Sequence, residues 1–554
     1  MAKKIKVDFR GIETLEFEEG TTYEEIAKVF QRYFNYPILV AKVDNQLKGL
    51  KETLAHKCSI DFYDRSSIVG NSTYGSSVQM LLIVAIKKLF GEKSEIRIEN
   101  SLGDGIYCEI ENVELSKSVV AKIEAQMREL VEADLFFTKL SVLRFDAIKY
   151  FKKKGQLDKV KLLKYISNSN VNLFRLDEVY DYFFNELAPS TKVLDSFALT
   201  YIKGNGFILS YPSIYNPECT LDYVHKDKIY KEFIDYAEWG TSIGIENAAD
   251  LNECVAEGKA GDIIRVAEAH YASQLTRIAD EVYKKKDDVK IILIGGPSSS
   301  GKTTTAKKLA VYLEARGLRP HTLSIDDYFL EREETPKDEN GNYDFESLRA
   351  LDLELFNKQL FKLLEGAKVD IPTFNFLTGK KEFGKKFLQL KEKDVIVIEG
   401  LHAINDELTA SIEMKNKYKI YIAPLTQINL DNHNRIHATD TRRLRRIIRD
   451  NRTRGYNAAQ TLKMWASIRE GEVKYIFPHQ NNVDAIINTA LVYEIGVLKT
   501  YVEPLLFSVK EDDPNYPEAI RLINFLRNFL PIPSEEVPLD SVLREFIGGS
   551  CFKY

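Results

Sequence analysis

A chain of 554 residues is too long for one ordinary hydrophobic core and, at roughly 150 residues per domain, predicts about three or four domains. Apolar, charged and aromatic fractions of 44%, 29% and 11% exclude a disordered, collagenous or coiled-coil chain, and a net charge of -5 excludes an overall basic field for nucleic acid. The five cysteines have no CxxC spacing, no apolar h-region follows Met1–Lys6, and the longest apolar runs (Met80–Ile86, Ile291–Ile294) fall far short of the ~20 residues that span a bilayer. These features predict a cytoplasmic protein with reduced thiols and no membrane partner.

In chain order, residues 1–62 begin with a strand pair, Ile5–Phe9 and Thr14–Phe17. A helix over 21–34 comes next, capped by Thr21 or Thr22, with Ile26, Val29 and Phe30 on one face. A small β-grasp module fits. Residues 63–215 mix helices (Val78–Phe90, Ser116–Ala133) with short strands and a turn at Gly103-Asp104-Gly105, predicting an α+β domain. Residues 216–287 are helical and charged, ending in Ala267–Lys286, and read as a connector. From 288 to 510, β-branched runs alternate with amphipathic helices, the pattern of a parallel α/β sheet. Residues 511–554 form a helical tail punctuated by Pro531, Pro533 and Pro538.

The strongest motif is Gly296-Pro297-Ser298-Ser299-Ser300-Gly301-Lys302-Thr303, between a strand (Lys290–Ile294) and a helix beginning at Thr304. Glycines let successive backbone amides converge on an anion, and the helix N-terminus adds partial positive charge. Lys302 would reach the β- and γ-phosphates, and the Thr303 hydroxyl would ligate Mg²⁺. The context predicts an ATP or GTP site. A second strand, Thr322–Ile325, ends in Asp326-Asp327; an Asp there either caps a helix or accepts a proton from an acceptor hydroxyl. A third, Asp394–Ile398, ends at Glu399, the Walker-B arrangement that holds Mg²⁺.

Residues Thr441–Gly455 hold seven arginines against one carboxylate, Asp450. Leu444, Ile447 and Ile448 share one helical face; Arg442, Arg445, Arg446 and Arg449 crowd the other. A solvated basic face, a nucleic-acid surface and a hinged lid closing over a triphosphate all fit, and the lid fits best beside a phosphate loop. Trp465 reads as packing. The Gly548-Gly549-Ser550 segment reads as a helix C-cap in preference to an anion nest.

The pieces G-P-S-S-S-G-K-T, S-I-D-D-Y-F, N-Y-D-F-E-S, V-I-V-I-E-G and R-I-I-R-D-N-R-T-R-G together resemble the uridine/cytidine kinase and phosphoribulokinase family of P-loop kinases. The resemblance implies that Asp326 is the general base, that Asp344 holds ribose hydroxyls, and that Thr303, Glu399 and Asp326 serve Mg²⁺. It further implies that Arg446, Arg449 and Arg454 neutralise phosphate charge, and that 296–304, Thr304 included, bind ATP. Phe374 and Phe376 would stack on a base. Two positions depart from the family: Gly379 stands where a histidine reads the pyrimidine, and Tyr456 replaces an arginine. Losing that polar reader weakens discrimination for uridine.

The N-terminal half resembles the amino-terminal region of threonyl-tRNA synthetase, a TGS-type β-grasp followed by an editing-like domain. Ser76 and Met80 stand where that family has a His-x-x-x-His pair, so editing activity is not expected. The implied fold is a P-loop parallel-sheet kinase domain preceded by a TGS-like β-grasp and a synthetase-like α+β domain. The implied activity is ATP- and Mg²⁺-dependent phosphorylation of a nucleoside 5′-hydroxyl. The rival readings are a kinase of a sugar, sugar phosphate or other hydroxyl metabolite, and a nucleotide-gated RNA-binding regulator. Nucleic acid is not the favoured partner, and the oligomeric state is not legible.

Overall fold

The computed structural model describes residues 3–553 apart from 104, 203, 205, 338–340, 342, 376–377 and 426–427. The chain groups into two compact units. Unit 1 comprises Met1–Gly258, Thr426–His437 and Val502–Ile532; unit 2 comprises Lys259–Leu425, Ala438–Tyr501 and Pro533–Tyr554.

Unit 1 opens with a five-stranded sheet in which Lys4–Phe9 pairs antiparallel with Glu13–Glu18 and parallel with Cys58–Tyr63. The covering helix, Tyr23–Phe30, starts where Thr22 accepts from the Glu25 amide while Glu25 accepts from the Thr22 amide, a reciprocal cap. Ile26 and Phe30 pack on Val7, Phe9, Ile60 and Phe62, with the Phe9 and Phe30 rings stacked at 4.3 Å. Val29, expected on the same face, is exposed, and the helix yields to a 3₁₀ turn (Gln31–Tyr33) instead of running to Phe34. The β-grasp reading of this region therefore stands with a shorter helix.

The second helix of unit 1 spans Ile68–Phe90, starting ten residues before the expected Val78. Ser67 supplies the missed start signal, its hydroxyl accepting from the Gly70 amide. The helix is buried on nearly every side, among a four-stranded antiparallel sheet and a three-stranded one. Periodicity misses the first turns of this helix because residues 68–77, IVGNSTYGSS, are mostly small and polar and carry no apolar stripe.

In unit 2 the helix α1 (Ala260–Lys284) leads to β1 (Ile291–Gly295) and α2 (Lys302–Glu314). Then come β2 (Arg319–Ser324), α3 (Leu353–Leu364), the hairpin β3 (Val369–Asn375) and β4 (Lys380–Leu388), and β5 (Asp394–Gly400). The chain continues through β6 (Lys417–Ala423), α4 (Ala438–Arg454), α5 (Ala458–Tyr475) and β7 (Ala485–Asn488). Strands β2-β5-β1-β6-β7, in that spatial order, form one all-parallel sheet. Its central strands are buried along their whole length, as a sheet covered on both faces requires. The expected parallel α/β domain is present. Its topology brings the carboxyl ends of β1, β2 and β5 side by side, with Glu399 in register with both Ile294 and Ser324.

Candidate active site

The loop after β1 is shaped by two glycines that tolerate no side chain. A Cβ on Gly296 would lie 2.1 Å from the Ile422 carbonyl oxygen, and Gly301 caps α2 in the left-handed region at φ +88°. Ser299 is also left-handed, at φ +58°. This strained turn leads directly into the N-terminus of α2. The Ser299 and Ser300 hydroxyls are buried without a hydrogen-bond partner among the described residues. Lys302 folds back, its Nζ donating to the Gly296 and Pro297 carbonyls at 3.1 Å each. A loop with orphaned hydroxyls and a lysine whose hydrogen bonds among the described residues go to the loop's own carbonyls fits a polyanion.

Around it the acidic groups are under-compensated. The Thr303 hydroxyl donates to Glu399 Oε1 at 3.2 Å. Burial first, then the charge of Asp326, pushes the Glu399 carboxyl up to about 7, against the pull of Lys302. Desolvation by its neighbours likewise raises Asp326 above the usual carboxylate range, opposed by Lys302, Arg454 and Arg449, although the residue itself is exposed. Burial lowers Lys302, with Glu399, Asp326 and Glu545 opposing. The carboxylates at 326 and 399 and the Thr303 hydroxyl are the donors that suit Mg²⁺. No group of three His, Cys, Asp or Glu side chains with metal-ligand geometry occurs among the described residues, so beyond these two carboxylates and the hydroxyl such an ion would draw on phosphate oxygens.

The arginine helix is not a solvated face. Arg442, Arg443, Arg445 and Arg446 are all buried. Arg442 pairs with the fully buried Glu472 and donates from Nε to the Ser298 carbonyl at 2.9 Å, while Glu472 accepts from the Ser298 amide at 3.2 Å. Arg445 pairs with Glu494 and donates to the Thr489 carbonyl at 2.7 Å; Thr489 in turn donates to the Ser300 carbonyl at 2.7 Å. These two arginines hold the loop's shape. Arg446, Arg449 and Arg454 gather on the fully buried Asp450, at 3.0, 2.8 and 3.6 Å, and Arg446 also donates to the Ser298 hydroxyl. Burial and the neighbouring Arg449 lower both Arg446, to about 10, and Arg454. Trp465 is buried beneath Arg442 and Arg443, at 5.4 and 5.0 Å.

Asp344 accepts from the Tyr475 hydroxyl at 3.1 Å and the Glu346 amide at 3.2 Å. Phe374 is buried, 5.7 Å edge-on to Phe329, and its amide donates to Asp327. Phe376 lies outside the described residues. Gly379 turns the β3–β4 hairpin at φ +70°, and a Cβ there would lie 2.9 Å from Arg332 Cβ. Tyr456 is exposed, its amide bonded to the Asp450 carbonyl.

Sequence reasoning missed Glu346, Glu472 and Glu545. Burial, then Glu472, pushes Glu346 up to about 7. Gly471 was the available signal for that crowding: a Cβ there would meet Glu346 Cβ at 2.7 Å, which explains a glycine inside α5. In unit 1, Met80 is buried in the core and the Ser76 hydroxyl accepts from Asn185 at 3.1 Å, so the positions expected to lack editing chemistry are packed and satisfied.

The model of the Phosphoribulokinase / Uridine kinase family matches residues 291–495, and that region is a domain of this family. The uridine kinase of Saccharomyces cerevisiae is 29% identical over 202 residues, 36% of this chain and 36% of the yeast protein. The N-terminal region has homologues among threonine–tRNA ligases. That of Carboxydothermus hydrogenoformans is 30% identical over 202 residues, 36% of this chain and 32% of the ligase. The chain thus spans about a third of the length of the curated relatives it matches. Among solved structures, D-glycerate 3-kinase of Cryptococcus neoformans is 17% identical with a TM-score of 0.20, covering 50% of this chain and 89% of that one. No helix among the described residues is long and apolar enough to cross a membrane.

Proposed function

We propose, from the premise that residues 291–495 form a phosphoribulokinase/uridine kinase-family domain, that the chain is an ATP- and Mg²⁺-dependent kinase whose first acceptor is the 5′-hydroxyl of uridine or cytidine. One observation carries the reading. Asp326 and Glu399 stand at the carboxyl ends of adjacent strands beside a phosphate loop whose lysine interacts with both. In this reading residues 296–304 seat the triphosphate, and Thr303 with Glu399 and Asp326 holds Mg²⁺, which when bound offsets charge on the phosphate oxygens. Asp326 takes the acceptor proton, its raised pKa making it a stronger base than an ordinary aspartate. Asp344 orients the acceptor's hydroxyls and Phe374 walls its ring. Arg446, Arg449 and Arg454 exchange Asp450 for the charge that develops on the transferred group.

A second reading, a sugar phosphate as acceptor, is favoured by Arg332 against Gly379, a cation where the family resemblance places a histidine. An acceptor screen separates the two: ATP consumption is measured against nucleosides, free sugars and sugar phosphates at one concentration. A nucleoside is expected to lead by about tenfold in kcat/KM. A leading sugar phosphate transfers the assignment to the second reading, and no acceptor-dependent consumption refutes both.

A further inference from the structure

Unit 2 ends in Pro533–Tyr554, a segment the kinase reading leaves without a role. It reaches the first turn of α2. The Glu545 carboxylate accepts from the Thr304 amide at 3.1 Å and from the Thr304 hydroxyl at 2.6 Å. Thr304 is the third residue of α2 and lies in the first turn of that helix. A phosphate loop offers the amides of that turn to the α- and β-phosphates.

The carboxylate is held in place from several directions. The Glu545 carbonyl accepts from Arg452 at 2.8 Å, and the next residue, Phe546, lies 5.1 Å below the Arg445 guanidinium. Val542 packs on Gly301, where a Cβ would approach it to 2.3 Å. Arg544 ties the segment to itself through the Ser534 and Val537 carbonyls at 2.8 and 2.7 Å. The charge of Glu545 also acts on the phosphate site, opposing the burial-driven drop of Lys302 and adding to the rise of Glu399.

An amide donates one hydrogen. The Thr304 N–H cannot serve Glu545 and a phosphate oxygen together, and two anions brought to one donor repel. We propose that the C-terminal segment is a built-in competitor of the donor nucleotide: Glu545 fills one phosphate position of the loop, and nucleotide binding requires that carboxylate to withdraw. The inference rests on the nucleotide-site reading above. The observed affinity is then the intrinsic one reduced by the fraction of molecules whose carboxylate has left.

The test titrates ATP with Mg²⁺ into the full-length protein by calorimetry, for the wild type, Glu545→Gln, Glu545→Ala and Lys302→Ala. Glu545→Ala is expected to bind about tenfold more tightly than wild type, and the near-isosteric Glu545→Gln to fall between them. Hydrogen exchange of residues 543–550 in the wild type is expected to quicken when nucleotide saturates. Equal or weaker binding in both Glu545 variants, with Lys302→Ala still abolishing it, overturns the competitor while leaving the nucleotide site intact. No Lys302-dependent binding in any variant overturns the nucleotide site and the competitor with it.

Discussion

Two charge clusters, one in each unit, use the same residue types to opposite ends. In unit 1 Lys159 is wholly buried, 2.9 Å from Asp181 and 3.0 Å from Asp431, and the His433 imidazole is 2.5 Å from Asp181. Burial alone would push the Asp181 carboxyl up, yet His433 and Lys159 pull it well below the usual range. Lys159 is held above its ordinary value by its two carboxylates against the cost of burial. In unit 2 Lys302, Asp326, Glu399 and Glu346 are all displaced toward neutrality, because burial outweighs the partners they have. A closed cluster is a structural device; an open one is where a ligand's charge would complete the balance.

The largest effect expected from that difference is catalytic. Lys302→Ala and Asp326→Asn should each lower turnover by a hundredfold or more, to roughly 10⁴-fold, while leaving the unfolding midpoint nearly unchanged. Steady-state rates in a coupled assay, read beside thermal melts, check this. An active Asp326→Asn would remove the general base from the proposed mechanism.

The closed cluster should respond in the reverse way. Lys159→Met leaves Asp181 and Asp431 buried with a cation gone and should destabilise unit 1 by about 3–5 kcal/mol. Urea unfolding followed by the hydrogen-exchange protection of unit 1 peptides measures it. A loss below about 1 kcal/mol would mean that the cluster tolerates an open charge, and the contrast with unit 2 would fail.

The open cluster was largely legible from the sequence; the closed one was not. Gly296, Gly301, Lys302 and Glu399 sit at the ends of largely apolar strands, and Asp326 just beyond another strand, where a local pattern names both the strand and the loop after it. Lys159, Asp181 and Asp431 come from three separate stretches, and nothing local marks a lysine as buried. The same limit hid Glu472 and Glu545, which reach the phosphate loop from 174 and 241 residues away. It also disguised the arginine run. Helical periodicity placed Arg442 and Arg445 on a polar face, but a polar face is buried when another element brings carbonyls and carboxylates to it, as the loop, Glu472 and Glu494 do. The segment Thr426–His437 lies between β6 and α4 in sequence yet groups with unit 1, an assignment made by partners such as Asp181 and Lys159.

The smallest effect is a difference of sign with pH. Glu346 has a folded pKa of about 7 against an ordinary 4.5, so the folded state binds its proton more tightly. Its favourable contribution is complete below about 4.5 and is lost as pH rises through about 7. Glu346→Gln should therefore stabilise nucleotide-free protein at pH 8, by about 1–2 kcal/mol after allowing for the solvent that reaches the side chain, and change little at pH 4. Asp181 has the opposite linkage: its depressed pKa gives stability that is present above the ordinary aspartate range and lost as pH falls. Asp181→Asn should cost most at neutral pH and least in acid. Melting both variants at pH 8 and near pH 4 tests the pair. Slopes of the same sign would show that burial, and not the balance of partners, governs both clusters.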